Sequence, residues 1–215
     1  MLAAVISIAV GEGGPGTPPN EGFNQTQRLF AGVEQEGALL GDPGAPVLVT
    51  VHNDVNCSSC ADYQVAEIDS LVEPYARAGL ARFEFSHFSL GPQPITLGAL
   101  AATAAGEQGR QWQYIDLLMR NLDSAGGEAD DRFLREVAET VPELDLDRWE
   151  ADRTSDEVRE IVEADADVAV ERRLPPEVVV IVTGPDGEER LEDSPPRAEI
   201  EAEIEAAGGD RTDGS

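Results

Sequence analysis

Apolar positions along this chain follow two rhythms. Val47-Leu48-Val49-Thr50-Val51-His52 is a short β-branched run, which predicts a buried strand. Ala81-Arg82-Phe83-Glu84-Phe85-Ser86-His87-Phe88 alternates and predicts a second. Between them Val65, Ile68, Leu71, Val72 and Tyr75 recur at three- and four-residue steps, the spacing of an amphipathic helix. Strand, helix, strand in that order is a βαβ unit, which requires a parallel pair and a right-handed crossover.

The middle of the chain switches to helical spacing. Leu97 to Gly106 is alanine-rich, and Gln111 to Leu122 places Trp112, Ile115, Leu118 and Met119 on one stripe. Phe133, Leu134, Val137 and Val141 predict another helix, ended by Pro142; Leu144 to Ala151 and Asp156 to Glu171 supply two more. Strand character returns at Val178 to Val182, where Gly184-Pro185-Asp186-Gly187 predicts a hairpin into Glu188 to Glu192. Ala198 to Ala207 closes as a helix. The expected class is α/β: a thioredoxin-like fold with a helical insertion between the βαβ and ββα halves. The expected boundaries are an apolar segment and linker over 1–40, the folded domain over 41–207 with its insertion at about 93–172, and a disordered tail over 208–215.

At the start, Leu2 to Val10 is a nine-residue apolar stretch before the breaker-rich 11–19. A secretory signal has an apolar core of about 7–15 residues behind a basic start. The length fits but no Arg precedes it, so the segment is expected to be the end of a signal peptide or membrane anchor, with ordinary N-terminal structure as the alternative. Gln25 to Gly37 is weakly helical or extended, and Gly41-Asp42-Pro43-Gly44 is a turn.

Charge narrows the function. The 215 residues carry 43 acids against 15 bases, a net charge of −28, and every base is an arginine. Such a field repels phosphate backbones, so a nucleic-acid partner is not expected. The acidity fits a salt-adapted source and an Arg- and Asp-rich codon usage equally well.

Chemistry concentrates at Cys57-Ser58-Ser59-Cys60, which holds both cysteines of the chain where the first strand gives way to a helix. A helix N-terminus has unpaired N–H groups and about half a positive charge, which stabilises a thiolate at Cys57. The thiolate is the form that attacks disulfides, and Cys60, one turn on, can resolve the product. Cys-x-x-Cys beside a βαβ pattern points to thiol–disulfide exchange. A metal half-site and an inert structural pair are the competing readings. Zinc needs about four ligands, and His52 and His87 are isolated from each other in the sequence.

With these residues in view, the chain resembles the DsbA-like thiol–disulfide oxidoreductases of the thioredoxin superfamily from about Glu36 to Ala207. The likeness runs through Gly41-Asp42-Pro43-Gly44-Ala45-Pro46-Val47, the Cys57–Cys60 motif, Gly106-Glu107-Gln108-Gly109-Arg110-Gln111-Trp112-Gln113-Tyr114, and Leu144-Asp145-Leu146-Asp147-Arg148-Trp149. The resemblance implies Cys57 and Cys60 as the catalytic pair, with Pro176 as a cis-proline packed over them. Pro175, Ser58 and Ser59 would then border the substrate. It further implies cysteine-containing protein substrates, a redox partner, a monomer, an extracytoplasmic location, and neither cofactor nor metal. Pro175 lacks an N–H, so any strand-like contact it makes to substrate must use its carbonyl.

Three positions depart from the family pattern. The inner pair Ser58-Ser59 has no histidine, and the strand position six before Cys57, often a buried acid, is Val51. The residue before the proline is Pro175 in place of threonine. Val51 leaves water, or His52, to carry protons to Cys60. His87 is read as a surface residue, Trp112 and Tyr114 as core and rim of the insertion, and Glu160 to Asp167 as a solvated helix face. Two alternatives stand beside the oxidoreductase: a thioredoxin-fold binding module with poor exchange, and a cytoplasmic reductase or sensor.

Overall fold

The structure, a computed structural model, describes residues 20–126 and 129–208. The apolar Leu2 to Val10, the Gly/Pro stretch after it, and the tail beyond Gly208 lie outside the described residues.

A six-stranded mixed sheet carries the fold, in the order β1-β2-β4-β3-β5-β6. Its centre is the expected pair, β3 (Val47–Asn53) and β4 (Ala81–His87), parallel and in register from Val47 opposite Ala81 to Asn53 opposite His87. β5 (Val179–Gly184) runs antiparallel to β3, and β6 (Gly187–Leu191) returns from it through a tight Pro185-Asp186 turn. Residues 23–40, expected as linker, join the fold: α1 (Phe23–Phe30) packs on the body, and β1 (Gln35–Glu36) and β2 (Leu39–Leu40) extend the β4 edge. Strands of two residues are too short to show a period in sequence.

The helical path between β3 and β4 begins as α2 (Ser58–Tyr63), widens into a π turn at Gln64–Ile68, continues as α3 (Asp69–Leu71) and widens again at Val72–Ala76. Pro74 lies in the second π turn. Proline has no N–H to give the helix ladder, and a wide turn accommodates the lost bond. The path buries Ile68, Leu71, Val72 and Tyr75 of the stripe that the spacing predicts and leaves its first member, Val65, half-buried.

The insertion comprises α4 (Leu97–Gly106), α5 (Gln111–Asn121), α6 (Asp131–Thr140), α7 (Leu146–Asp152) and α8 (Asp156–Arg172). Trp112 pins it to the sheet. The ring meets Phe83 and Phe85 edge-on and its Nε1–H donates to the Ala38 carbonyl at 2.8 Å. Tyr114, expected near a rim, is fully buried, stacks by Trp149 and donates to the Leu134 carbonyl. α9 (Arg197–Ala206) closes the fold against β5 and α3.

A buried ionic cluster ties three helices together. Arg120 on α5 donates to Asp69 on α3 at 2.8 Å and to Asp116 at 2.8 Å, and the Thr26 hydroxyl of α1 donates to Asp116. Burial and the neighbouring Asp116 carboxylate push the Asp69 carboxyl well above its usual range, against the opposing pull of Arg120. Arg77 adds a second tie, donating to the Ala31 and Leu29 carbonyls left unpaired at the end of α1.

Side-chain alternation splits β3 between two faces. Asn53 bonds Gln64 on the helical path that follows β3, so Val51 and Asn53 face that path, while His52, opposite the Ser86 that bonds Asp165, faces α8. His52 is buried with both ring nitrogens unpartnered, and burial, then Arg172 and Arg190, lower its pKa to about 4. It therefore cannot carry protons to Cys60 through the sheet. His87 is not on the surface: it is 4% exposed beside Gln111 and Phe85, and burial lowers its pKa to about 3. Nor is the acidic run of α8 wholly solvated. Asp165 accepts the His87 backbone N–H at 2.8 Å and bonds Ser86, and burial raises its pKa to about 6.

Two predictions follow from these buried charges. Arg120→Leu strands two carboxylates in the interior and should cost about 3–5 kcal/mol in urea unfolding at neutral pH. The deficit should shrink on acidification, as the Asp69 carboxyl, already held above its usual range, takes up a proton. The second concerns His87, which stays neutral in the fold while its unfolded counterpart titrates at 6.5. Its contribution is complete above pH 6.5 and is lost as pH falls toward 3, whereas Asp165, with a raised pKa, acts in the opposite sense below pH 6. His87→Leu should therefore remove about 1.4 kcal/mol per pH unit of acid destabilisation between pH 6 and pH 4, read as unfolding free energy against the parent.

Candidate functional site

β3 ends at Asn53, and the four residues after it aim the first cysteine. The Asn53 side-chain carbonyl accepts the Asp54 N–H at 2.9 Å, and the Cys57 N–H turns back onto the Asp54 carbonyl at 3.3 Å. Cys57 is thus the extended N-cap of α2, with its sulfur in the place usually held by a Ser or Asp oxygen, accepting the Cys60 N–H at 3.2 Å. The Ser59 hydroxyl lies 3.3 Å from the same sulfur. Cys57 and Cys60 form a disulfide, their Cα atoms 5.1 Å apart. Cys57 is partly exposed and Cys60 is 3% exposed. One sulfur is reachable from solvent and the other is shielded. Were Cys57 to ionise on reduction, these two donors would become charge-assisted bonds to its thiolate.

A carboxylate that the sequence reading passed over organises the approach. Asp54 accepts the Asn56 backbone and side-chain N–H groups with one oxygen and the Leu90 N–H, at 2.8 Å, with the other. Asn56 also donates to the Thr96 hydroxyl at 2.7 Å, and that hydroxyl caps α4. Gly98 permits this approach, since a Cβ there would stand 2.7 Å from the Asn56 side-chain amide oxygen. Between these parts lies a cleft of about 370 Å³, with Asp54, Asn56 and Cys57 on one side and Ser89 to Gln93 with Thr96 on the other. Asp and Asn three and one residues before Cys57 are turn-formers; that was the available signal.

The expected site residues divide. Cys57, Ser58, Ser59 and Cys60 share the first turn of α2, with both serines exposed. Pro175 and Pro176 lie at the same end of the sheet, because Val179 pairs with His52. The cis expectation is corrected: no peptide bond among the described residues is cis, so Pro176 is trans. Locally, α8 ends at Arg173 in a left-handed conformation, with the Leu174 N–H turned back to Ala169. The Glu177 N–H then folds onto the Pro175 carbonyl at 2.8 Å. These bonds complete the connection with trans geometry, which X–Pro bonds favour by about 0.5–1 kcal/mol. The Pro175 carbonyl, expected to meet substrate, is engaged by that bond. Val51 is fully buried on the helix face, so the usual acid is absent at that position.

Comparison with known proteins agrees with this architecture. A family model described as thioredoxin matches residues 34–178. The chain is 27% identical over 169 residues to a probable disulfide bond formation protein D of Bacillus cereus, covering 77% of each, and equally so to its counterpart in Bacillus anthracis. Among solved structures, alpha-DsbA1 of Wolbachia pipientis superposes with a TM-score of 0.67 at 16% identity, over 86% of this chain and 96% of that one. Oxidised BdbD of Bacillus subtilis gives 0.65 at 16% identity, over 81% and 97%. With a family model covering residues 34–178 and these structural likenesses over most of its length, the chain belongs to the thioredoxin family, in a fold of the DsbA type.

Proposed function

We propose that this chain is a thiol–disulfide oxidoreductase that exchanges disulfides with cysteine-containing proteins outside the cytoplasm, drawing on a redox partner. The observation that carries the reading is the Cys57–Cys60 disulfide at a helix N-terminus, with one sulfur open and the other buried. A client thiolate attacks Cys57, and the electron pair of the S–S bond leaves on Cys60. A second client thiolate then attacks the client sulfur of the mixed disulfide and releases Cys57 as a thiolate, held by the Cys60 N–H and the Ser59 hydroxyl. The client has lost two electrons, and the partner must remove them from the dithiol. Exchange in the other direction retraces these steps.

The name of the Bacillus relatives supports the activity. An oxidising compartment is where disulfides persist, and the apolar Leu2 to Val10 suits a signal end or anchor. Fractionation of the native host tests location; recovery in the cytoplasm would overturn that part. Ser58, Ser59 and the Pro175-Pro176 connector border the approach in this reading. The trans bond at Pro176 favours one competitor, a binding module with slow exchange. Mass spectrometry with and without thiol alkylation, after incubation with a reduced client, separates the two.

Iodoacetamide at neutral pH should label Cys57 of the reduced protein well before Cys60, and Cys60→Ser should accumulate mixed disulfides through Cys57. Labelling of Cys60 first would reverse the assigned roles. With no histidine between the cysteines, equilibration against glutathione should place the pair below the value of about −120 mV that DsbA reaches.

A further inference from the structure

In a chain of which 27% is charged, residues 85–106 contain no Asp, Glu, Lys or Arg. That neutral stretch supplies one whole wall of the cleft beside Cys57, from Ser89 to Gln93 and Thr96, and it leaves Leu97 exposed at the head of α4. On the opposite wall stand Asn56, Cys57 and Asp54. Among the residues lining the cleft, Asp54 is the one that carries a charge. We propose, resting on the exchange activity above, that Asp54 is the specificity residue of this cleft: it favours client segments with a cationic residue beside the reacting cysteine and disfavours acidic ones.

The hydrogen bonds of Asp54 make it suited to this. Three N–H donors, two from Asn56 and one from Leu90, hold the carboxylate in place. A carboxylate has about four acceptor positions, so these bonds fix the group without saturating it. Its 7% exposure keeps most water away, and the neutral wall opposite provides no countercharge. A cleft lined by one sign of charge between low-dielectric walls focuses the field on whatever enters it. The net charge of −28 attracts cationic clients too, but that attraction acts at long range and salt screens it. At about 1 M salt the Debye length is about 3 Å, and a partly buried charge is screened far less than a surface one. Salt therefore separates Asp54 from the rest of the surface.

The test uses the full oxidised chain and three peptides. Each carries one pair of cysteines, and the residue before the first cysteine is Arg, Gln or Glu. In each turnover the peptide gives up two electrons and two protons as its own disulfide forms, and Cys57–Cys60 becomes a dithiol. Rates are divided by those of the same peptide with neutral 2-hydroxyethyl disulfide, which removes differences in intrinsic thiol reactivity. The Arg peptide should outrun the Glu peptide about three- to fivefold at high salt, the effect of one partly exposed charge pair, and Asp54→Asn should bring the ratio toward one. A ratio unchanged in Asp54→Asn would overturn the assignment. So would a wild-type ratio that vanishes at high salt, a result that stands even if the variant does not fold. Equal turnover of all three peptides overturns the specificity and leaves the exchange activity intact, whereas no turnover of any peptide overturns both.

Discussion

The bond from the Cys60 amide to the Cys57 sulfur sets the requirements for everything around it. A sulfur can act as an N-cap only if the chain before it is extended and the chain after it is already helical, so strand, loop and helix must meet within a few residues. Asn53 and Asp54 make that junction by turning the end of β3 onto its own backbone. Gln64 then bonds both Asn53 and Asp69, which connects the junction to the ionic cluster of Arg120. The reactive end of α2 is thereby anchored to α5 and α1 through buried polar groups. α9 holds the same helix from outside, where the Tyr63 hydroxyl donates to Pro195 and Glu67 accepts the Arg197 N–H.

Much of this was legible in the residues. The β-branched run of β3, the alternation of β4, the cysteine spacing and the stripes of the insertion helices are local signals, and each element stands where its period puts it. What failed to read was relational. Whether His52 or His87 shares a face with the active-site helix depends on strand register, which turned His52 away from that helix and buried His87 as well. Asp69, Asp116 and Arg120 are scattered through the sequence, and only folding makes them one cluster. Asp165 looked like its acidic neighbours on α8 because nothing local says that β4 ends beneath it. Pro175-Pro176 matched a family position while the peptide geometry there is set by the turn that ends α8.

Charge divides the molecule by depth. The surface pairs of arginines with nearby acids, such as Arg132 with Glu136 and Arg148 with Asp152, join exposed arginines to partly exposed acids, and each contributes about 0–1 kcal/mol. The cluster at Arg120 is different in kind, since removing one member leaves the others uncompensated in the interior. Excess acid at the surface raises solubility and self-repulsion together, and the neutral band from Phe85 to Gly106 is where that repulsion is absent beside the reactive sulfur.

The two π turns of the active-site helix have an evolutionary consequence. Each holds one residue more than a regular α-helix would place in the same span. A single-residue deletion at either turn would return it to a regular α turn and could leave the sulfur and β4 in place, so this segment can tolerate a loss of length that a regular helix could not.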